Sequence, residues 1–239
     1  MNPPKHLARI AGGLYLLVGI FGGFAEGFVE PKMYVAGNAV ATAGNVVANA
    51  GLLRMGVAAD LLDGTFFVFT ALALYMLLKD VHKSAAMAML VFVALAAAIT
   101  CMSAVFEFEG LRVATAGVSA ASLGIGGSNA LVLLLLDAQH YGLLTAQIFF
   151  GLWLAPLGYL AYKSGWFPKT LGIVLVVASV SYLVDVFAAF LLPNLDKQIH
   201  AFTSIVPAIA EPWMVVYLVV IGLRTVKPAK RILAAKRAA

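Results

Sequence analysis

The feature that most constrains this chain is a series of apolar runs, each about twenty residues long and almost free of charge. A helix rises about 1.5 Å per residue, so such a run crosses a hydrocarbon core of about 30 Å. In lipid, backbone polar groups must be paired within the protein, and these runs lack the strict alternation of barrel strands. The sequence therefore predicts an all-α polytopic membrane helix bundle with about six transmembrane helices. The predicted spans are residues 9–30, 57–78, 85–107, 142–162, 170–191 and 204–223.

The composition excludes a soluble domain. Hydrophobic residues make up 63% of the chain and charged residues only 11%, whereas a soluble domain carries about 25% charged residues. The single cysteine, Cys101, excludes an internal disulfide and a cysteine-based metal cluster. We expect one transmembrane helical domain over residues 1–226, followed by a basic cytoplasmic tail over residues 227–239.

The distribution of Lys and Arg predicts the orientation. If the N-terminus is cytoplasmic, twelve of the sixteen basic residues fall on the inner side, six of them at the C-terminal end. We therefore predict a multi-pass protein of the bacterial inner (cytoplasmic) membrane with both termini cytoplasmic. The bilayer is the first partner, and a basic tail beside it is expected to bind anionic lipids rather than nucleic acid.

One stretch allows two topologies. Residues 113–136 carry no charge and could cross as a seventh span, but this would move the basic tail outside. A loop signal at residues 124–129 (GIGGSN) also interrupts the run. We prefer two short outer segments, re-entrant or lying at the interface. Residues 38–53 predict another short outer helix before the second span.

The acidic residues show a bias opposite to that of the basic ones. Ten of the eleven fall on the outer half under this topology. An ionisable group inside a bilayer costs at least about 2.5–3.5 kcal/mol, so it should face water, the bundle interior or a partner. Glu211 lies near the middle of the sixth span between two prolines, which predicts a broken helix with the acid at the break. The candidate ligand-binding residues are Glu26, Arg54, Asp60, Asp63, Asp185 and Glu211.

These residues also have a purely structural interpretation. Glu211 could pair with an Arg or Tyr inside a kinked helix, and Arg54 is the natural bidentate partner for Asp60 and Asp63. Such a network would fix helix register without binding a ligand. The sequence leaves both interpretations open for this group.

Histidines and other acids give weaker signals. His140 and His200 fall at outer helix ends and could reach the acidic residues on that side. Such a group could hold a divalent metal, although no HExxH motif or close His pair supports it. Glu107 and Glu109 are interpreted as solvated acids at a helix end. The sequence does not identify a cofactor.

Small residues mark one face of the first span. Gly12, Gly19, Gly23 and Gly27 recur there and include two overlapping GxxxG steps. Such stripes let helices approach closely, so we predict packing within the chain, with a homo-oligomer as the alternative.

Several strings of the sequence carry a resemblance to a known family. The most specific is KSGWFP at residues 163–168. The others are residues 9–15 (RIAGGLY), 24–26 (FAE), 41–45 (ATAGN), 53–54 (LR), 60–61 (DL), 149–152 (FFGL), 157–160 (LGYL) and 171–172 (LG), with Tyr182 and Glu211. With these strings the sequence resembles the uncharacterised bacterial membrane family called domain of unknown function 4386. The resemblance covers nearly the whole chain, departs mainly at residues 113–128, implies a prokaryotic inner-membrane protein of this topology and supplies no activity.

Three function classes remain. The first is binding and translocation of a small solute or cation through an outward-facing acidic cavity, with Glu211 and Asp185 as the deep ligands. The second is an intramembrane enzyme that acts on a lipid or isoprenoid with a metal held by His140 or His200. The third is a non-catalytic scaffold or sensor subunit that uses its basic tail.

Overall fold

The apolar runs form helices that pack side by side. A computed structural model describes residues 4–115 and 124–224, and every regular element in those residues is a helix. Six helical stretches there are long and apolar enough to cross a membrane. The elements are α1 Pro4–Phe24, a π-helical segment Ala25–Val29, α2 Glu30–Met33, α3 Ala39–Ala48, α4 Ala50–Leu78, α5 Lys83–Thr115, α6 Gly124–Ser164, α7 Lys169–Leu191, α8 Asp196–Thr203, α9 Ile205–Val216 and a second π-helical segment Tyr217–Ile221.

The spans pack as a closed ring in chain order. Each long helix contacts the next, and α1 contacts both α4 and the last span, which closes the ring. Side chains from opposite sides meet in the interior around Trp153 of α6. Its ring lies edge-to-face with Tyr15 of α1, at 5.2 Å between centroids, and with Phe67 of α4, at 5.0 Å. The predicted all-α polytopic membrane bundle is confirmed.

The two ends of the bundle differ in charge. One end, here called the basic end, holds the start of α1, the α4–α5 turn and the α6–α7 turn. At this end Arg9 Nη2 donates to the Val220 carbonyl at 3.5 Å, and the Arg224 N–H donates to the Trp166 carbonyl at 3.1 Å. The opposite end is called the acidic end. The predicted basic tail at residues 227–239 lies outside the described residues.

Residues 113–136 differ from the expected short outer segments. Residues 113–115 complete α5, and Gly124, with φ of +68°, precedes a continuous helix that runs to Ser164. The residues predicted as a loop, 124–129, are therefore its first turns. Packing on α5 explains this, because a Cβ at Gly110 of α5 would lie only 2.5 Å from Leu136 Cδ1. Residues 116–123 lie outside the described residues.

Two short connections follow their sequence signals. The predicted short helix before the second span is α3, and Asn38 caps it by accepting the Ala41 N–H at 3.0 Å. The KSGWFP string ends α6 with Gly165 at φ +69° and begins α7 after Pro168. Phe167 in this turn is buried in the core.

The last span is interrupted elsewhere than predicted. The break lies at Ser204, between α8 and α9, rather than at Glu211. Pro207 is the third residue of α9, where a backbone N–H has no intrahelical partner, so a proline fits. The helix also continues through Pro212. Glu211 therefore projects from an intact helix.

Candidate functional site

A large cavity lies between α1, α4, α6, α7 and the last span. Its volume is about 780 Å³. Four carboxyl groups and one imidazole line it, and no Lys or Arg is present in the described lining. Aromatic rings supply much of the apolar wall. This acidic cavity is formed in part by Glu26, Asp63, Asp185, Glu211, His200, Tyr15, Phe67, Phe150, Trp153 and Tyr182.

Glu211 is held by two tyrosine hydroxyls from different helices. Tyr15 of α1 donates to Glu211 Oε2 at 2.5 Å, and Tyr182 of α7 donates to Oε1 at 2.8 Å. Hydrogen bonds to an ionised acceptor are stronger than those between neutral groups. The contact with Trp153 fixes the Tyr15 ring. This tyrosine clamp joins α1, α7 and α9 around one carboxyl group.

Asp185 joins α7 to the short helix α8. Thr203 Oγ1 donates to Asp185 Oδ1 at 2.5 Å, and His200 Nδ1 lies 2.9 Å from Oδ2. The His200 side chain is 61% exposed, whereas that of Asp185 is 10% exposed. These contacts hold α8 across the cavity at the acidic end.

Asp63 and Glu26 have no hydrogen bond or ion pair in the described chain. Asp63 is only 4% exposed and faces Gly22 of α1, where a Cβ would lie 3.2 Å from Asp63 Oδ1. Glu26 belongs to the π-helical segment, whose extra residue per turn shifts side chains relative to an α-helix. The two carboxyl groups are therefore available to a ligand.

A second polar cluster joins α2 to α6 at the acidic end. Glu30 Oε1 lies 2.6 Å from His140 Nδ1, and the Tyr34 hydroxyl donates to Asp137 Oδ1 at 2.5 Å. The Tyr34 and His140 rings stack at 5.0 Å between centroids. Tyr34 follows the first span, and burial, reinforced by the bond to Asp137, raises the pKa of its hydroxyl above the usual tyrosine value. This cluster lies outside the acidic cavity.

Comparison with known proteins gives a family without an activity. The family described as Domain of unknown function (DUF4386) matches residues 10–222. The chain belongs to this family. An uncharacterized protein from Archaeoglobus fulgidus is 32% identical to this DUF4386 protein over 149 residues, which are 62% of this chain and 75% of that protein. No solved structure matches. The resemblance seen in the sequence is confirmed.

Four of the six candidate residues of this DUF4386 protein line the cavity: Glu26, Asp63, Asp185 and Glu211. Asp60 is buried one turn from Asp63 but is not part of the lining. Arg54 is exposed and forms no ion pair in the described chain. At about 100° per residue, Arg54 points about 180° away from Asp63, which explains why the expected pairing is not formed.

The interpretation of Glu107 as a solvated acid is wrong. Helix α5 runs on to Thr115, so Glu107 lies inside the helix, and its position faces α4 with 4% exposure. Glu109 is exposed as expected and pairs with Arg112 at 2.7 Å. Whether Glu107 is exposed depends on how far α5 extends and on what packs against it. The apolar run alone does not fix where the helix ends.

The two histidines expected near one acidic site lie in different clusters, and the glycines expected to form one packing stripe have different surroundings. His140 and His200 belong to separate clusters, and no group of three metal-ligating side chains forms in residues 4–115 and 124–224. Gly12 packs closely, because a Cβ there would lie 2.7 Å from Leu218 Cβ. Gly19 and Gly23 instead line the cavity with open space beside them.

Among the cavity residues that the sequence reasoning did not identify are Tyr15, Gln147 and Trp153. Gln147 carried a usable signal, since an amide within an apolar span must find a polar environment. Its Oε1 is buried without a hydrogen-bond partner in the described chain. Tyr15 and Trp153 gave no such signal, because aromatic residues in a span are also ordinary packing residues.

Proposed function

We propose that this protein binds a small solute, most favourably a cation, in the acidic cavity and moves it across the membrane. The observation that carries the proposal is the charge of the lining, which combines four carboxyl groups with no Lys or Arg in the described part. In a bundle surrounded by hydrocarbon, such a one-sided charge attracts cations and repels anions.

The size and walls of the cavity favour an organic cation. A volume of about 780 Å³ falls within the range of about 300–1,000 Å³ that is typical of small-molecule sites. Phe67, Trp153 and Tyr182 line it, and aromatic rings attract cations that have apolar bodies. The carboxyl groups are spread over α4, α7, α9 and the π-helical segment, which suits an extended solute better than a bare metal ion.

The carboxyl groups divide into two kinds under this proposal. Asp63 and Glu26, which have no partner among the described residues, act as counter-charges for the solute. Glu211 and Asp185 already accept hydrogen bonds from neighbouring side chains, so they shape the cavity and add negative potential.

The proposed orientation is that predicted from the sequence, with both termini in the cytoplasm of a bacterial cell and the acidic end outside. Its support is the bias of Lys and Arg toward the basic end. A Cys101→Ser protein with one new cysteine at Lys169 or Lys197 tests it by labelling in intact cells. Labelling at Lys169 but not at Lys197 contradicts the orientation.

The binding experiment compares two ions of the same shape and opposite charge. Full-length protein in detergent is titrated with tetraphenylphosphonium or tetraphenylborate, and binding is followed by calorimetry and thermal unfolding. We expect stabilisation by the cation alone and at least tenfold weaker binding after Asp63→Asn, which corresponds to about 1.4 kcal/mol or more. Glu109→Gln, an exposed acid on α5, is the control and should bind as the wild type does.

Two outcomes contradict the binding proposal: equal stabilisation by both ions, or unchanged cation affinity in Asp63→Asn. Translocation is tested separately in proteoliposomes with labelled tetraethylammonium, whose binding is measured first by the same calorimetry. Binding without protein-dependent uptake refutes the translocation half.

A further inference from the structure

A buried pair of carboxyl groups lies beside the cavity, in the contact between α4 and α5. Asp60 of α4 is 2% exposed and Glu107 of α5 is 4% exposed. Their carboxyl groups are in hydrogen-bonding contact with each other. Asp60 Oδ1 and Glu107 Oε2 accept no hydrogen bond from any donor in the described chain. The pair is thus almost fully buried, and these two oxygens have no donor among the described residues.

The groups within electrostatic range of this pair are mostly carboxyl groups. Glu30 of α2 and Glu26 of the π-helical segment lie within electrostatic range, as do Asp63 on the next turn of α4 and the thiol of Cys101 on α5. From α6, the nearby cluster offers His140, which is bound to Glu30.

Basic residues do not reach the pair in the part of the chain that the structure describes. Arg54 lies on another face of α4, and Arg112 is paired with Glu109 at the surface. The negative charge of two ionised carboxyl groups would therefore have no counter-ion here.

The hydrogen bond between these two carboxyl groups requires a proton. An ionised carboxylate is only an acceptor, so two carboxyl groups can form a hydrogen bond only if one of them is protonated. Two adjacent negative charges without a cation are strongly unfavourable where the dielectric constant is low. One proton between the two groups removes the repulsion and supplies the missing donor.

We propose that Asp60 and Glu107 share one proton and form a proton-binding site, apart from the acidic cavity, that releases its proton to bulk water when a cation binds at Asp63. A positive charge at Asp63 stabilises both carboxyl groups as anions, since Asp63 is the next acidic residue on the same helix face. The release step exchanges one cation bound for one proton lost. It rests on the proposed function, whereas the shared proton does not.

The first experiment detects the shared proton without a ligand. Infrared spectra of wild-type protein near neutral pH are compared with those of Asp60→Asn/Glu107→Gln, which keeps the shape of both side chains. We expect the double variant to lose carbonyl-stretch intensity equal to one protonated carboxyl group. Glu109→Gln is the control and should retain the full band. An unchanged band in the double variant overturns the shared proton.

The single variants keep the test decisive if the double variant does not fold. Glu107→Gln supplies an N–H donor to Asp60 and so reproduces the protonated state. We expect it to fold at high pH at least as well as the wild type. Two results together also overturn the shared proton. They are loss of folding in Glu107→Gln and a carbonyl-stretch band in Asp60→Asn at the same position as in the wild type.

The second experiment measures release. Tetraphenylphosphonium is added to weakly buffered protein that contains a pH-indicator dye. We expect about one proton released per cation bound by the wild type, and none by Asp60→Asn/Glu107→Gln, which still binds the cation. Binding without release in the wild type, or equal release in the double variant, refutes the coupling. Failure of the cation to bind rejects the proposed function and with it the release step, while the infrared result still decides the shared proton.

Discussion

Removing one hydroxyl from the tyrosine clamp should weaken the bundle by a predictable amount. Tyr182→Phe keeps the ring and deletes the donor that lies 2.8 Å from Glu211 Oε1. A hydrogen bond to a charged group contributes about 1.5–3 kcal/mol. The freed oxygen faces a cavity with room for water, so we expect the lower half of that range, about 1.5–2 kcal/mol.

The same substitution on the other side of the clamp should cost more. Tyr15 donates to Glu211 Oε2 at 2.5 Å and is only 3% exposed, so water replaces its hydroxyl less readily. For Tyr15→Phe we expect about 2–3 kcal/mol, the upper half of the same range.

The assay is reversible unfolding of the purified protein in mixed micelles, followed by circular dichroism. A double-mutant cycle combines Tyr182→Phe with Glu211→Gln and isolates the energy of the pair. Tyr141→Phe is the matched control, because Tyr141 is 50% exposed and its hydroxyl has no hydrogen bond in the described chain. We expect the control to change stability by less than about 0.5 kcal/mol.

One result would refute the reasoning about the clamp. If the effects of Tyr182→Phe and Glu211→Gln add within about 0.5 kcal/mol, the hydroxyl and the carboxyl group do not interact. The tyrosines would then be ordinary packing residues, and Glu211 would have to be held in another way.

Three further substitutions, one of them with a matched control, test neighbouring features. Gly22→Ala should weaken tetraphenylphosphonium binding about threefold to tenfold, because its Cβ would press on Asp63 Oδ1 at 3.2 Å, while helix stability stays equal or rises by up to about 1 kcal/mol. Gly13→Ala, which has open space and lies outside the cavity, should leave binding unchanged. Tyr34→Phe should lower stability equally from neutral pH to about pH 10, with the difference vanishing only at higher pH. The folded-state pKa of this hydroxyl is raised above 10.0, so its stabilisation is complete below that value and is lost as pH rises through the folded pKa, as chemical denaturation across pH will show. Arg54→Ala should bind the cation within about twofold of the wild type by calorimetry, which corresponds to less than about 0.5 kcal/mol; a larger loss would mean that this exposed side chain reaches the cavity.

The number and order of the spans could be read from the sequence because the bilayer imposes a length. Each predicted span overlaps one helix, since an apolar run of about twenty residues has few alternatives in lipid. The helix ends were harder to predict. Helix α4 begins at Ala50 rather than at residue 57, and α6 begins at Gly124 rather than at residue 142. Both helices extend past the predicted apolar span where a neighbouring helix packs against them, and hydropathy does not report such packing.

Part of the candidate site could also be predicted from the sequence, because the bilayer penalises ionisable groups. The cost of an ionisable group in a span points to Asp63, Asp185 and Glu211 from the sequence alone. The prediction that Glu107 is solvated is wrong because its burial depends on packing against α4. The predicted ion pair of Arg54 does not form because Arg54 lies on a different face of α4 from Asp63. Sequence spacing predicts which residues share a face, but it does not tell which face is covered.

The sequence by itself determined that this chain is a helical membrane bundle with acids concentrated toward one end, because hydrophobicity and charge act residue by residue. Only the tertiary structure decided which acids meet a donor, which meet each other and which remain free. Tyr15 and Glu211 are 196 positions apart, and Asp60 and Glu107 belong to different helices. Contacts of this kind depend on how the ring of helices closes, and closure is a property of all six spans packed together.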